Sequence, residues 1–215
     1  MSEIKYRLAK PSDAGQIANV HYHIRDKYDI GFFAQVNYAF LKKYYCVILN
    51  DPYEIIVCAE DDNGKIVGFC SGSIDSKSQF DNLRKHKQRF FFPLLTSAFA
   101  NPKLIKSAFD RFKSTKGESE NEYVANEGAR EEYWGWLPNR DDTIKSVVLQ
   151  EIFYRILKSL GIDEMLLEVD QVNDRILQLH KKNGAEEVST YKMNDGRTRI
   201  ALKYSLKNYR FKFVK

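Results

Sequence analysis

The sequence predicts an α/β fold of the mixed α+β kind, built around one central sheet. Strand-like runs alternate with runs of helical apolar periodicity along most of the 215 residues. Two turn signals, "DNG" at 62–64 and "NDG" at 194–196, join neighbouring strand-like runs as hairpins. In the second half a strand, a helix and a further strand follow one another, which requires a crossover and therefore at least one parallel pair.

Length and composition fit one domain over 1–206 that carries an insertion. The chain is 43% hydrophobic and 13% aromatic, enough for a sizeable core. No apolar run approaches the roughly 18 residues that span a bilayer, and the first ten residues lack the apolar core of a signal peptide. We therefore expect a cytoplasmic protein without a membrane span. Cys46, Cys58 and Cys70 show no metal-ligand spacing, so they indicate reduced core residues rather than a metal site.

The first half predicts a strand, two helices and a hairpin. "IKYRLA" at 4–9 is the strand, and Ser12 and Asp13 offer a cap for a helix over 14–28. Apolar residues recur every three to four positions over 32–50, which predicts a single second helix. The hairpin strands lie on either side of the "DNG" turn.

Residues 75–128 differ from their surroundings and predict a basic, aromatic helical insertion. A first helical segment contains Phe80, Phe90 and Leu94, and a second begins at Asn101 and Pro102. Lys and Arg are concentrated here and in the tail 207–215. This charge suits an anionic ligand or a membrane surface, although a solvated basic face has the same composition. No nucleic-acid motif is present, so we expect no nucleic-acid partner.

The second half reads strand, helix, strand, short helix and two strands. The strand "AREEYWGWLP" leads through "NRDD" to a helix that ends at Gly161. The strand "EMLLEVD" precedes a short helix that starts near Asn173 and ends at Gly184. The complete order is βααββ, the insertion, and then βαβαββ.

Two segments resemble the GCN5-related N-acetyltransferases, the GNAT superfamily. In "LLEVDQVNDRILQLHKKNGAEEV", Asn173, Ile176, His180 and Gly184 fall at the spacing of the family's late strand and helix. Counted from Pro138, the family's acetyl-CoA signature falls on Asp141, Ile144 and Ser146, where its Gln or Arg and its small residues are missing. The resemblance covers about 160 residues, and it implies the GNAT fold.

The resemblance also implies acetyl-CoA, or a close acyl-CoA, as acyl donor. Its pyrophosphate would lie at the helix start, near Arg140, Thr143, Ile144, Lys145 and Ser146. Lys145 opposes the helix dipole, which a bound anion would explain. The same stretch also fits an ordinary helix cap, with Asp142 or Thr143 turned inward.

The implied chemistry needs an oxyanion site, a base and an acid. Backbone amides near Trp136 and Leu137 would polarise the thioester, and Asn173 opens the late helix beside the donor. Glu132 would be the base, on one strand face with Trp134 and Trp136, with Glu131 on the opposite face unless a bulge shifts the register. A surface role for Glu132, with a chain of waters as base, stays open.

The acid would be His180, which takes the place of the family's tyrosine and would act as an imidazolium of ordinary pKa. A solvent-facing helix histidine fits equally well, and Tyr191 is a second candidate acid.

The predicted function is transfer of an acetyl or short acyl group to the amine of a small molecule, such as an amino sugar. A GNAT-shaped binding or regulatory module is the alternative, since the donor signature is degenerate. A homodimer and membrane-surface contact through the basic insertion also remain open.

Overall fold

The structure is a computed structural model that describes residues 3–25, 31–102, 104–106, 108, 127–138, 140–193 and 195–214. Its strands are β1 (Ile4–Leu8), β2 (Glu54–Asp61), β3 (Ile66–Ser73), β4 (Arg130–Trp136), β5 (Glu164–Asp170), β6 (Glu186–Lys192) and β7 (Thr198–Ser205). They form one sheet in the order β1-β2-β3-β4-β5-β7-β6. The β4–β5 pair is parallel and the other pairs are antiparallel, which confirms the predicted mixed sheet.

The helices are α1 (Ala14–Ile24), α2 (Phe32–Gln35), α3 (Tyr38–Ile48), α4 (Ser76–Lys85), α5 (Phe91–Ala100), α6 (Ile144–Ser159) and α7 (Asp174–Lys182). The prediction of one helix over 32–50 is wrong, because the chain is extended at Val36 and Asn37. The Asn37 side chain accepts a hydrogen bond from the N–H of Phe40 and starts α3 as a separate helix.

Two apolar clusters hold the helices to opposite faces of the sheet. One contains Leu149, Phe153 and Leu157 of α6 and Leu177 of α7, packed on β2, β3, β5 and β7. The other joins α1, α2 and α3 to the facing side of β2 and β3. The sheet therefore separates an α6–α7 side from an α1–α3 side.

The β4 strand is the element that opens the sheet. It pairs with β3 as far as Trp136, but it pairs with β5 only at Arg130 and Leu166. A bulge also shifts the β3–β4 register between Ser71 and Gly72, opposite Tyr133 and Glu131, so that Glu132 is the extra residue. Beyond Arg130 the two parallel strands leave a gap.

The segment between β3 and β4 is helical where it is described. It contains α4, a 3₁₀ turn at Lys87–Phe90, and α5. Most of the second helix predicted from Asn101 lies outside the described residues, although Leu104 is buried in the α1–α3 cluster. No described helix is both long and apolar enough to cross a membrane.

The C-terminal tail is held by a buried acid. Glu151 of α6 is 1% exposed, and its carboxylate accepts hydrogen bonds from the backbone N–H groups of Lys212, Phe213 and Val214. Tyr209 and Phe211 pack against the α6–α7 cluster. The tail is thus part of the fold up to Val214.

We expect Gly72→Ala to destabilise the protein, because the bulge leaves no room for a side chain. A Cβ at this position would lie 2.1 Å from the carbonyl oxygen of Arg130 and 2.7 Å from Cζ of Phe153. The backbone atom cannot move aside, so the free energy of unfolding in urea should fall by about 2 to 3 kcal/mol.

Gly15→Ala is the matched control, since its Cβ would meet only ordinary contacts at 3.5 Å and beyond. Its free energy of unfolding should stay unchanged or rise by up to about 1 kcal/mol. Equal losses in the two variants would contradict the steric account.

Candidate active site

Backbone groups of β4 face the gap between β4 and β5. The N–H of Leu137 donates to the carbonyl of Val67, so residues 67 and 137 form a hydrogen-bonded pair of the β3–β4 ladder. In an antiparallel pair such positions alternate, so the N–H and C=O groups of Trp134 and Trp136 point away from β3 and towards β5. The expected use of the Leu137 amide is therefore wrong, whereas the Trp136 amide does face the gap.

The bulge places the two adjacent glutamates on different sides of the sheet. Glu131 accepts hydrogen bonds from Gln150 and Tyr154 of α6, on the same side as Trp134 and Trp136. Glu132 instead contacts Tyr44 of α3. The prediction that Glu132 shares a face with the two tryptophans is wrong, because the extra residue reverses the alternation.

Glu131 is a buried carboxyl with two neutral hydrogen-bond donors. The Tyr154 hydroxyl donates to its Oε2 over 2.6 Å, and the Gln150 amide donates to its Oε1 over 2.8 Å. Burial disfavours the charged form and outweighs these two bonds, which raises the pKa of Glu131 to about 7. The group can therefore both take up and release a proton near neutral pH.

Glu132 belongs to a polar cluster on the α1–α3 side. Its carboxylate pairs with Arg130 and accepts a hydrogen bond from Tyr44 at 3.2 Å. The Gln79 amide of α4 donates to both Glu132 and Glu54, at 2.9 Å each. Burial and the neighbouring Glu132 charge raise the pKa of Glu54 well above its usual range. Glu132 is thus held by three side chains, those of Arg130, Tyr44 and Gln79.

His180 is 2% exposed, and its ring is neutral. Burial lowers the pKa of His180 to about 4, so the expectation of an imidazolium at neutral pH is wrong. The Tyr204 hydroxyl donates to the carbonyl of His180 and lies 3.0 Å from its Nδ1. When the single hydroxyl proton is directed at that carbonyl, Nδ1 donates the ring proton to the hydroxyl and Nε2 is the acceptor.

A cavity of about 180 Å³ follows the β4–β5 gap through the sheet. Glu131, Trp134, Asn173, Ile176 and His180 line it from the α6–α7 side. Glu132 and Tyr133 of β4 join a wall from the α1–α3 side that comprises His21, Ile24, Arg25, Gly31, Phe32, Phe33 and Ala34. A molecule bound on one face can therefore reach a molecule bound on the other.

The wall on the α1–α3 side is aromatic. The His21 ring lies 4.7 Å from the Tyr133 ring and 5.6 Å from the Phe33 ring, centroid to centroid. On β5 and β7 the charges at the rim are paired, since Asp170 binds both Arg197 and Arg199, at 2.7 and 3.0 Å. The rim therefore offers fixed charges of both signs around an apolar centre.

Hydrogen bonds and an ion pair between side chains hold the turn before α6. Asp142 is 8% exposed, and Arg140 binds its carboxylate through two nitrogens, at 2.6 and 2.8 Å. The indole N–H of Trp136 donates to the same carboxylate at 3.2 Å. Asp142 is thus turned inward, as one alternative expected, but Thr143 makes no side-chain cap. Arg140 and Asp142 thus form an ion pair, and their charges offset one another.

The start of α6 is open to solvent. The N–H groups of Lys145 and Ser146 bond to the carbonyls of Asp142 and Thr143. The side chains of Thr143 and Ile144 are exposed. Lys145 also helps to lower the pKa of Asp142. The position of Lys145 therefore has an explanation besides a bound anion.

Of the predicted site residues, Glu132, Asn173 and His180 line the cavity, whereas Trp136, Leu137, Arg140 and residues 143–146 belong to the end of β4 and the start of α6. Tyr191 lies on β6, opposite Arg199, and does not line the cavity. Glu131 and Tyr204 are the groups that sequence reasoning missed. For Glu131 the signal was the adjacent glutamate pair in "REEYWGW", whose faces depend on the bulge. For Tyr204 no local signal exists, since its contact with His180 spans 24 residues.

Solved structures show which fold this is. A GNAT-family protein from Desulfovibrio desulfuricans superposes with a TM-score of 0.59 at 11% identity, over 95% of this chain and 99% of that one. For yncA from Salmonella typhimurium with acetyl-CoA the TM-score is 0.57 at 13% identity, over 98% of each chain. For NAA60 from Arabidopsis thaliana with acetyl-CoA the TM-score is 0.57 at 15% identity, over 96% of this chain and 100% of that one. No family model and no curated protein sequence matches the chain.

The buried Glu131 predicts a pH-dependent stability. The carboxyl is neutral when folded below about pH 7, so it stabilises the fold fully below its unfolded pKa of 4.5, and this contribution is lost as the pH rises through about 7. We expect wild type to lose on the order of 3 kcal/mol relative to Glu131→Gln between pH 4.5 and pH 7.5.

Urea unfolding of both proteins across this range measures the difference. Glu186→Gln is the control, since this glutamate is exposed and the variant should give a curve parallel to that of wild type. Parallel curves for Glu131→Gln and wild type would contradict the raised pKa.

Proposed function

We propose that this chain, which has the GNAT fold, is an N-acyltransferase that uses acetyl-CoA or a short acyl-CoA. The observation that carries the proposal is the open edge of β4. Its free backbone groups face a cavity that also holds a buried carboxyl of pKa about 7 and a neutral imidazole. Acyl transfer to an amine needs a place for an extended donor, hydrogen bonds to a carbonyl oxygen, and a proton acceptor.

The gap and the adjoining turn fit the acyl donor. The amides of the pantetheine arm can pair with Trp134 and Trp136 as an added strand would, because no described strand uses these groups. The pyrophosphate can accept hydrogen bonds from the N–H groups of Thr143 and Ile144 at the positive end of α6. Lys145 supplies a cation, and Arg140 neutralises Asp142, which would otherwise repel the phosphates.

Once bound, the donor would supply a thioester whose acyl carbon forms the new amide bond, while its carbon–sulfur bond breaks and the sulfur leaves as the free thiol with the second proton that the attacking nitrogen loses. The N–H of Trp134 points into the gap and stabilises negative charge on the carbonyl oxygen. Glu131, as a carboxylate, takes the proton that the acceptor ammonium must lose before it can attack. Nε2 of His180 accepts a hydrogen bond from the amine and orients its lone pair.

The acceptor enters from the α1–α3 side. Its amine must reach the gap, while the rest of the molecule lies against His21, Phe33 and Tyr133. This lining supports a small amine with an apolar or ring-shaped body. An amino sugar has such a body, and the paired charges of Asp170, Arg197 and Arg199 offer hydrogen bonds to its hydroxyl groups.

A binding module without catalysis is the second candidate, and Asp141 favours it. This aspartate is exposed beside the proposed phosphate site, where it costs on the order of 1 kcal/mol against a bound anion. Binding of acetyl-CoA without turnover of any amine would support the binding module over the enzyme.

Acetyl-CoA at 1 mM should raise the melting temperature of the protein. Lys145→Ala should weaken donor affinity several-fold, because it removes the cation at the start of α6, and Asp141→Asn should strengthen it several-fold. Calorimetric titration gives the affinities. Lys158→Ala, at the other end of α6, is the control and should bind as wild type does.

If acetyl-CoA, propionyl-CoA and free CoA all leave the melting temperature unchanged, both the proposed donor site and the proposed enzyme activity are contradicted. Equal affinities for Lys145→Ala and Asp141→Asn would place the phosphates elsewhere.

Glu131→Gln should lower turnover by roughly a hundredfold or more, because it removes the base. Acceptor amines, including amino sugars, are screened by release of the free thiol. In wild type kcat/KM should rise with pH through a midpoint near 7, where the Glu131 carboxyl loses its proton. In Glu131→Gln this rise should vanish and leave only the ionisation of the acceptor.

His180→Phe should lower turnover and leave donor affinity nearly unchanged, whereas Tyr191→Phe should change neither. Retention of the rise near pH 7 in Glu131→Gln would reject Glu131 as the base. Unchanged turnover in His180→Phe would remove His180 from the mechanism.

A further inference from the structure

Helix α5 presents a stripe of phenylalanines to solvent. Phe92 is 75% exposed and Phe99 is 88% exposed, and Phe91 and Leu95 are exposed as well. Positions 92, 95 and 99 fall on one face of a helix. We call Phe91, Phe92, Leu95 and Phe99 the α5 stripe. Contiguous apolar side chains on a surface mark a contact site, whereas single ones do not.

The opposite face of α5 is firmly attached to the domain, so the orientation of the stripe is determined. Ser97 and Ala98 are buried, and the Ser97 hydroxyl accepts a hydrogen bond from the N–H of Asn37 at 3.1 Å. The Asn37 amide also donates to Thr96. Beyond the helix, Asn101 donates to Gln35 of α2 at 2.9 Å. The bonds at Ser97 and Asn101 hold the attached face of α5, whereas Thr96 lies beside the stripe on the outer face.

The chain around the stripe is basic. Between Asp81 and Asp110 the sequence contains no acid and six Lys or Arg residues. Lys85, Lys87 and Arg89 precede the stripe and Lys106 follows it, and all four are exposed. Apolar side chains with a cationic border are the composition of a segment that lies in the headgroup region of an anionic bilayer.

We propose that the α5 stripe and its cationic border form a docking surface for an anionic lipid bilayer. The phenylalanines enter the boundary between headgroups and acyl chains, and the basic side chains contact lipid phosphates. This inference is independent of the acyltransferase proposal.

Two other occupants fit less well. A second copy packed on the same patch would bring two cationic borders together, because a twofold interface is self-complementary. A folded protein partner needs hydrogen-bonding groups at its interface, and the polar side chain on this face, Thr96, is already bonded to Pro93 and Asn37. The interior of a bilayer needs no such groups.

Docking would also place the candidate active site close to the membrane. The C-terminal end of α5 is tied to α2 through Asn101 and Gln35, and Phe32, Phe33 and Ala34 of α2 line the cavity. The acceptor side of the cavity is therefore linked to the docked helix through α2.

Co-sedimentation of the full chain with vesicles tests the surface. We expect binding to phosphatidylcholine vesicles that contain 30% phosphatidylglycerol (about 30% anionic lipid), and much weaker binding to pure phosphatidylcholine. Lys87→Gln with Arg89→Gln should weaken binding roughly 30-fold, since each basic residue near the surface contributes about fivefold. Phe92→Ser with Phe99→Ser should weaken it at least about tenfold.

Matched controls remove the same groups elsewhere. Lys5→Gln with Lys65→Gln removes two exposed charges at the β1 edge, and Val172→Ser removes an apolar side chain that is 92% exposed. Both controls should bind vesicles as wild type does, and circular dichroism checks that every variant is folded.

Equal binding to neutral and anionic vesicles, or equal losses in the controls, would overturn the proposal. Absence of binding to either vesicle would overturn it as well. A dimer in light scattering that Phe92→Ser dissociates would assign the stripe to a second copy instead.

Discussion

The candidate site depends on the parting of β4 and β5 after a single pair, Arg130 with Leu166. A strand that loses its neighbour inside a sheet normally leaves unpaired backbone groups, which are costly when they are buried. Here β4 stays paired with β3 from Arg130 to Trp136 except at the bulge, so the strand is held along one edge while the other edge is open. The backbone groups of Trp134 that face β5 line a cavity rather than packed side chains, so a ligand or water can satisfy them.

The bulge at Glu132 determines which acid reaches which side of this gap. Without it, the alternation of β4 would put Glu132 beneath α6 and Glu131 beneath α3. With it, Glu131 has two neutral donors and a raised pKa, whereas Glu132 has the Arg130 cation beside it. Two adjacent residues of one type are thereby given different chemistry, one as a titrating group and the other as part of a fixed cluster.

Local signals predicted the fold well, and distant contacts explain what they missed. The element order follows from periodicity, and the ends of α6 and α7 follow from Gly161 and Gly184, which adopt the predicted left-handed conformation, with φ of 81° and 94°. The break between α2 and α3 was missed because the apolar spacing continues across Asn37. The burial of His180 and the faces of Glu131 and Glu132 depend on Tyr204, on α6 and on a register shift, none of which is local.

The turn before α6, where we propose that the donor phosphates bind, keeps its shape without the glycines that the GNAT signature carries. Glycine permits a close approach of the backbone, but it does not fix the path of the chain. Here Trp136 and Arg140 both hold Asp142, so the carboxylate that would repel a phosphate instead anchors the turn. The Trp136 indole lies against Gly68, where a Cβ would come within 2.2 Å of its ring. The glycine that this turn requires therefore lies on the neighbouring strand, where it leaves room for the indole.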